Sequence, residues 1–357
     1  MIYGVIMAGG SGTRFWPESR HGRPKQLLKI VDDRTMIRAT VDRIRWKIPT
    51  DRILVITTPQ QEADIRAELE EVPNEMILVE PMGRNTAACI ALAAFKLQKR
   101  DPDAIMVVLP ADHLIGREQE FLEILEWGIE IVSQGAYLLT FGIVPTRPET
   151  GYGYIHLGVP HANSTSRAAY RVDRFVEKPD LVTAQTYLQS GSYLWNSGMF
   201  VWKVSDITRA FDRHLPYLST AMREALPQLN TPRESEALMR VYERIESISI
   251  DNGIMERADN VLVIPIDVDW NDVGCWSSVE NVWDRDESGN VSRGELIALE
   301  STGCIVSSPH KLITLIGLED VIVVDTPDAL LVCKKDRAQD VKHVQKILKE
   351  RGYHHLL

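Results

Sequence analysis

The chain has little cysteine, no long apolar run and no surplus of positive charge. Its 357 residues hold four cysteines, Cys89, Cys275, Cys304 and Cys333, with no Cys-x-x-Cys pair. That scatter excludes a cysteine-rich zinc site and a disulfide framework, and it fits a reducing compartment. No stretch approaches the roughly 20 apolar residues needed to span a bilayer. The apolar start, residues 1–7, lacks a basic flank and is too short for a secretory signal. A formal net charge of −10 argues against a general nucleic-acid or anionic-membrane binder. Together these absences predict a cytoplasmic protein with neither nucleic acid nor membrane as partner. What remains, 44% hydrophobic and 25% charged residues, is enough for one large α/β domain and a small appendage.

Short β-branched runs at 2–7, 53–57, 76–79, 105–109 and 137–143 alternate with helical periodicity at 36–46, 60–69, 86–97 and 121–132. Strict alternation predicts a Rossmann-like mixed, mostly parallel sheet with helices on both faces. After Pro145 the rhythm changes. Strands at 152–157, 170–176 and 199–202, with loops and short helices between them, read as an insertion that walls a substrate site. Helices at 207–214 and 234–245 and a strand at 261–266 follow. The polar stretch 284–290 is a domain boundary, giving domains 1–284 and 285–357. Beyond it, short β runs separated by Gly303, Pro309, Gly317 and Pro327 predict a small β-solenoid-like module, closed by a helix at 337–350.

The sharpest local signal follows the first strand: Ala8-Gly9-Gly10-Ser11-Gly12-Thr13-Arg14. Glycines there allow the backbone to turn successive N–H groups toward phosphate oxygens, and Arg14 adds a charged fork. It is neither a P-loop nor a dinucleotide fingerprint, and alone it is equally compatible with a plain tight turn. Residues 1–30 carry five basic side chains against Glu18 alone, a local cationic patch suited to a small polyanion. Leu109-Pro110-Ala111-Asp112-His113 places a carboxylate just past a buried strand, the edge where open α/β sheets bind ligands. No second histidine stands at ligand spacing from His113, which argues against zinc.

The continuation Phe15-Trp16-Pro17 and Arg23-Pro24-Lys25-Gln26 resembles the signature of the nucleoside-diphosphate-sugar pyrophosphorylases. Glu80-Pro81-Met82-Gly83-Arg84-Asn85-Thr86-Ala87 resembles the segment peculiar to their mannose-1-phosphate guanylyltransferase branch, with Asn85 or Thr86 able to cap the following helix. Glu149-Thr150-Gly151-Tyr152-Gly153-Tyr154, Phe175-Val176-Glu177-Lys178-Pro179, Trp195-Asn196-Ser197-Gly198-Met199 and Trp270-Asn271-Asp272-Val273-Gly274-Cys275-Trp276 extend the likeness over residues 1–284. Departures are Phe15 for Leu, Ala88 for Pro, Asn252-Gly253 for Tyr-Ala and Cys275 for Ser.

The resemblance implies transfer of a nucleotidyl group from GTP to mannose 1-phosphate with Mg²⁺. It assigns Ala8, Gly9, Gly10, Gly12, Thr13, Arg14, Lys25, Gly83, Arg84, Asn85 and Asp112 to the nucleotide. Gly151, Tyr152, Gly153, Glu177, Lys178 and Asn196 go to the sugar phosphate, and Asp112 with Asp272 to the metal, ahead of Asp267 and Asp269. Arg14, Lys25 and Lys178 are the implied catalytic cations. The rival readings are a uridylyl- or thymidylyltransferase for glucose 1-phosphate and a non-catalytic paralogue that senses GDP-mannose. The tail, about 70 residues, is too short for the isomerase domain of longer relatives, so no isomerase activity is expected. The tail and its helix offer a contact for a homodimer, which light scattering tests.

Overall fold

The computed structural model describes residues 1–10, 12–161, 168–229 and 231–357, so Ser11 of the glycine turn lies outside the described residues. Strands β1 (Ile2–Met7), β2 (Ile53–Thr57), β3 (Ile77–Val79) and β4 (Ile105–Pro110) are buried β-branched runs paired in parallel. β5 (Leu114–Ile115) leaves the sheet. β6 (Leu138–Ile143), β7 (Tyr154–Pro160), β8 (Tyr170–Val176), β9 (Tyr193–Lys203) and β10 (Val261–Ile266) rejoin it, and β11 (Trp270–Asn271) pairs with β5. The nine-stranded order is β3-β2-β1-β4-β9-β6-β10-β8-β7. Only β8 and β9 run against the others, so the sheet is mixed and mostly parallel.

The helices are α1 (Met36–Ile44), α2 (Glu62–Glu68), α3 (Asn85–Arg100), α4 (Glu118–Gln134), α5 (Leu181–Ser190), α6 (Val204–His214), α7 (Pro216–Ala225), α8 (Glu234–Arg244) and α9 (Lys342–Glu350). Buried Ala87, Ala88, Ala91, Ala93 and Ala94 let α3 lie close to β1 and β2, while α4 covers β6, β9 and β10. Two helices escape the periodicity. α5 buries only Ala184, so it shows no apolar stripe, although Asp180 caps it by accepting from the Thr183 amide at 2.8 Å. α7 starts on Pro216 and buries small residues, Ser219, Ala221 and Ala225, beside Leu218 and Met222. β9 is far longer than the expected 199–202, running through the polar Trp195–Gly198 stretch with a register shift opposite Thr140 and Gly142.

In the tail, β12 (Val291–Arg293), β14 (Ile305–Ser307) and β16 (Val321–Asp325) stack in parallel, as do β13 (Leu296–Leu299) and β15 (Ile313–Ile316). β17 (Leu330–Lys334) closes the stack antiparallel to β16. These are solenoid coils. They are not packed alone: Ile305, Ile322, Val324, Leu331 and Val341 form one core with Phe15, Trp16, Val273 and Trp276. The Trp276 indole donates to the Trp16 carbonyl at 3.0 Å, and the Trp16 indole donates to the Leu356 carbonyl at 3.0 Å.

Candidate active site

The glycine turn is held with its carbonyls inward. Buried Gln26 donates to the Ala8 carbonyl (2.9 Å) and the Gly10 carbonyl (3.0 Å), and Gln61 donates to Gly10 as well (3.2 Å). Among the described residues, the amides of Gly9, Gly10 and Gly12 have no intramolecular acceptor, so they remain for a ligand. Gly12 has φ +59°, and a Cβ there would stand 2.5 Å from the Lys25 nitrogen. Only glycine lets the turn lie against Lys25. Ala8 is a correction to the expected nucleotide set. Its amide donates to Ile56 at 2.8 Å, its carbonyl is taken by Gln26, and its side chain is buried.

The two acids assigned to the metal meet through the β5–β11 ribbon. Trp270 pairs with Ile115 and Asn271 with Leu114, so the next residue on each strand, Asp272 and His113, is carried to the same end as Asp112. Lys25, only 4% exposed, joins them: its ammonium donates to Asp112 Oδ2 at 2.9 Å and to the Asp272 carbonyl. Burial pushes the Asp112 carboxyl up, but the Lys25 ammonium, with smaller help from His113 and a backbone amide, brings the group below the usual carboxylate range. Burial pushes the His113 imidazole down, favouring its neutral form, and His113 Nδ1 accepts from the Trp270 indole at 3.2 Å. Asp267 and Asp269 are spent elsewhere, paired with Arg117 at 2.8 and 3.3 Å.

Asp112, His113 and Asp272 form the wall between two cavities. The smaller, about 310 Å³, is lined by Gly12, Thr13, Arg14 and Lys25. Among the described residues Arg14 there donates only to the Gly274 carbonyl, at 3.4 Å. The larger, about 440 Å³, collects Gly9, Gly10, Gly83, Arg84 and Asn85 on one side and Gly151, Tyr152, Gly153, Glu177, Lys178 and Asn196 on the other. Apart from Ala8, every residue expected at the site therefore lines one cavity or the other. The Tyr152 hydroxyl donates to Asp272 Oδ1 at 2.5 Å, tying the second side to the acidic wall. Glu177 and Lys178 pair with each other, and Lys178 is exposed with φ +43°.

Some details differ from the sequence reading. Neither Asn85 nor Thr86 caps α3 through its side chain; Asn85 Oδ1 accepts from the adjacent Thr86 amide (2.8 Å), and Thr86 Oγ1 accepts from the Ile250 amide (2.9 Å). The Asn196 amide is already engaged, donating to Asp251 at 2.7 Å and accepting from Gly198 at 3.1 Å. Asp251, which the sequence reading missed, lines the larger cavity, and burial pushes its carboxyl up to about 6. The departing pair Asn252-Gly253 does not line either cavity. Asn252 donates to Glu256 at 2.7 Å, and a Cβ on Gly253 would stand 2.8 Å from Leu215. Cys275 faces the second core, beside Gln339.

Glu80 is another carboxylate on the larger cavity that had no assigned role. It lines the larger cavity almost fully buried and accepts from the Tyr242 hydroxyl at 2.8 Å. Burial pushes its carboxyl up to about 7. The native state then keeps a proton that the unfolded chain releases near the ordinary glutamate value of 4.5. Stability from this group is present below that value and is lost as pH rises through about 7, at most about 3 kcal/mol. Glu80→Gln should therefore gain thermal stability relative to the parent between pH 5 and pH 8. Parallel melting curves across that range would remove the buried-acid assignment.

A largely parallel sheet with a cationic glycine turn after β1 and Asp112 just past β4, met there by Asp272 from the β5–β11 ribbon, has the form of a nucleotide-binding architecture. Residues 3–289 match the family model described as nucleotidyl transferase, and residues 294–348 match the MannoseP isomerase/GMP-like beta-helix domain. The chain belongs to the nucleotidyl transferase family. It is 38% identical over 362 residues to a mannose-1-phosphate guanylyltransferase of Escherichia coli (strain K12), covering 99% of this chain and 74% of that protein. A protein of the same name from Klebsiella pneumoniae is 37% identical over 354 residues, covering 98% and 74%. A crystal structure from Thermus thermophilus, described as a mannose-1-phosphate geranyltransferase, superposes with a TM-score of 0.87 at 35% identity, covering 98% of this chain and 99% of that one.

Proposed function

We propose that this chain is a mannose-1-phosphate guanylyltransferase, converting GTP and mannose 1-phosphate to GDP-mannose and pyrophosphate. The observation that carries the reading is the meeting of Lys25, Asp112 and the Asp272 segment at the wall shared by the two cavities. Two polyanions have to approach each other there, and the groups present suit that task. The names of relatives matched along nearly the whole chain support mannose and guanine as the sugar and base.

An oxygen of mannose 1-phosphate attacks the α-phosphorus of GTP in line. The new P–O bond forms as the bond to the β-phosphate oxygen breaks, and pyrophosphate leaves with that electron pair. The attacking oxygen is ionised at neutral pH, so no general base is needed. Arg14 and the free amides of the glycine turn bind the β- and γ-phosphates, and Lys25 faces the α-phosphate. Lys178 turns from Glu177 to the sugar phosphate, and Glu177 and Asp251 accept from sugar hydroxyls. Two carboxylates, with no third His, Cys, Asp or Glu completing a metal cluster among the described residues, suit Mg²⁺, which takes its remaining ligands from phosphate and water. Asp112 and Asp272 would hold the Mg²⁺, which would supply charge neutralisation between the nucleotide and sugar phosphates. The same reading treats residues 1–284 as the transferase domain. A cytoplasmic location is supported by four unpaired thiols.

Lys178→Ala should raise KM for mannose 1-phosphate about tenfold and leave that for GTP within about twofold. Initial rates with each substrate varied in turn check this, and equal damage to both would remove Lys178 from the sugar side. The reading as a whole is tested by pyrophosphate release across GTP, UTP, dTTP and ATP against mannose and glucose 1-phosphates. GTP with mannose 1-phosphate should give the highest kcat/KM; no release with any pair in the presence of Mg²⁺ would overturn it.

A further inference from the structure

The smaller cavity has a lining residue from outside the transferase domain. Lys342, the first residue of α9, stands on it with Gly12, Thr13, Arg14, Lys25 and Gly274. Its place is set by packing. Val341 is buried in the core shared with Phe15, Trp16 and Trp276, and Val344 and Leu348 of α9 pack on the same core. Gln339 donates to Cys275 Sγ at 3.5 Å, and the Trp16 indole holds the chain end through Leu356. The element that carries Lys342 is therefore fixed against both the glycine turn and the segment after Asp272.

Charge in this cavity is unevenly satisfied. Lys25 is neutralised by Asp112. Among the described residues Arg14 has only a carbonyl partner. Among the described residues Lys342 makes no ion pair, and its near neighbour Asp340 is taken by Arg337. Two unpaired cations from different domains thus face one space of about 310 Å³ beside the acidic wall. Self-repulsion of that kind is relieved by an anion with several charged oxygens.

We propose that Lys342 binds the β- and γ-phosphates of the nucleotide and the pyrophosphate they become, so that the C-terminal β domain completes the triphosphate site. This rests on the nucleotidyl-transfer reading for its substrate and on the cavity for its chemistry. Pyrophosphate should therefore bind more weakly once the ammonium is removed, whereas mannose 1-phosphate, on the far side of the Asp112–Asp272 wall, should not sense the change.

The test compares Lys342→Ala, Lys342→Gln and Lys342→Arg in the full chain. In pyrophosphorolysis of GDP-mannose, the first two should raise KM for pyrophosphate about tenfold and KM for GTP in the forward direction by a similar factor. KM for mannose 1-phosphate should stay within about twofold, and Lys342→Arg, which keeps the charge, should lose less pyrophosphate affinity than either neutral variant. A calorimetric titration with inorganic tripolyphosphate provides a readout independent of turnover, with about tenfold weaker binding expected for Lys342→Ala. If the parent protein turned over no nucleotide sugar, the functional reading would fail while this titration still decided the role of Lys342. Unchanged tripolyphosphate affinity in both neutral variants, or an equal rise in KM for mannose 1-phosphate, would overturn the proposal.

Discussion

Asp112→Asn and Asp272→Asn are each expected to lower kcat by about a thousandfold while leaving the fold intact. Both side chains stand on the wall that the two cavities share, and each loses one unit of negative charge with almost no change of volume. The Asn amide keeps hydrogen-bonding capacity toward Tyr152 at position 272, so packing is preserved. What is lost is the pair of hard anionic oxygens that suits a divalent cation between two phosphates. Circular dichroism should match the parent protein for both, a lower melting temperature is expected only for Asp112→Asn, which leaves the buried Lys25 ammonium without its carboxylate, and pyrophosphate release in Mg²⁺ should fall in both. Near-parent kcat in either variant would remove that residue from the metal site.

Lys25→Met is expected to lower kcat/KM for GTP by about a hundredfold. The substitution conserves volume at a buried position whose backbone lies against Gly12. It withdraws the one ammonium that links Asp112 to the Asp272 carbonyl. Two effects follow from one change: the α-phosphate loses its nearest cation, and two acidic segments lose the group that holds them together. Varying GTP at saturating mannose 1-phosphate reads both. A drop confined to the sugar phosphate would show that Lys25 serves the other side of the wall.

Much of this arrangement could be read from residues. The alternation of apolar runs with helical stripes identified the sheet, and the glycine turn with Arg14 and Lys25 pointed to the end of it where the two cavities open. Asp112 was legible as a carboxylate past a buried strand, but its meeting with Asp272 only through resemblance, because no spacing rule reveals that a two-residue ribbon pairs Leu114 with Asn271. Other features depend on through-space contacts. Gln26 and Gln61 turn the loop carbonyls inward, and neither polar side chain announces that role in sequence. Asn196 looked like a ligand for a hydroxyl, whereas its amide orients Asp251 from a segment far along the chain. The expected strand began only at 199, because Asn, Ser and Gly at 196–198 are turn formers, yet β9 passes through them with Gly198 at φ +67°. Ala8 was assigned to the ligand because it adjoins the glycines, but β2 had already claimed its amide.

The tail was legible as coils and not as part of the site. Its strands are short and regular enough to suggest a solenoid, while the core it forms with Phe15, Trp16 and Trp276 joins residues from the two ends of the chain. Hydrophobic periodicity reports that a residue is buried; it does not report against what. A lysine at the start of an amphipathic terminal helix looks like a solvated charge until the fold sets it beside Arg14.

The most direct test of the central claim is a crystal structure with GTP and Mn²⁺ in place of Mg²⁺, read by the anomalous signal of the metal. The account predicts a metal peak bridging Asp112 and Asp272, with the triphosphate lying along the amides of Gly9, Gly10 and Gly12 toward Arg14. A metal held by neither acid, or a triphosphate bound in a cleft that the glycine turn does not line, would contradict it.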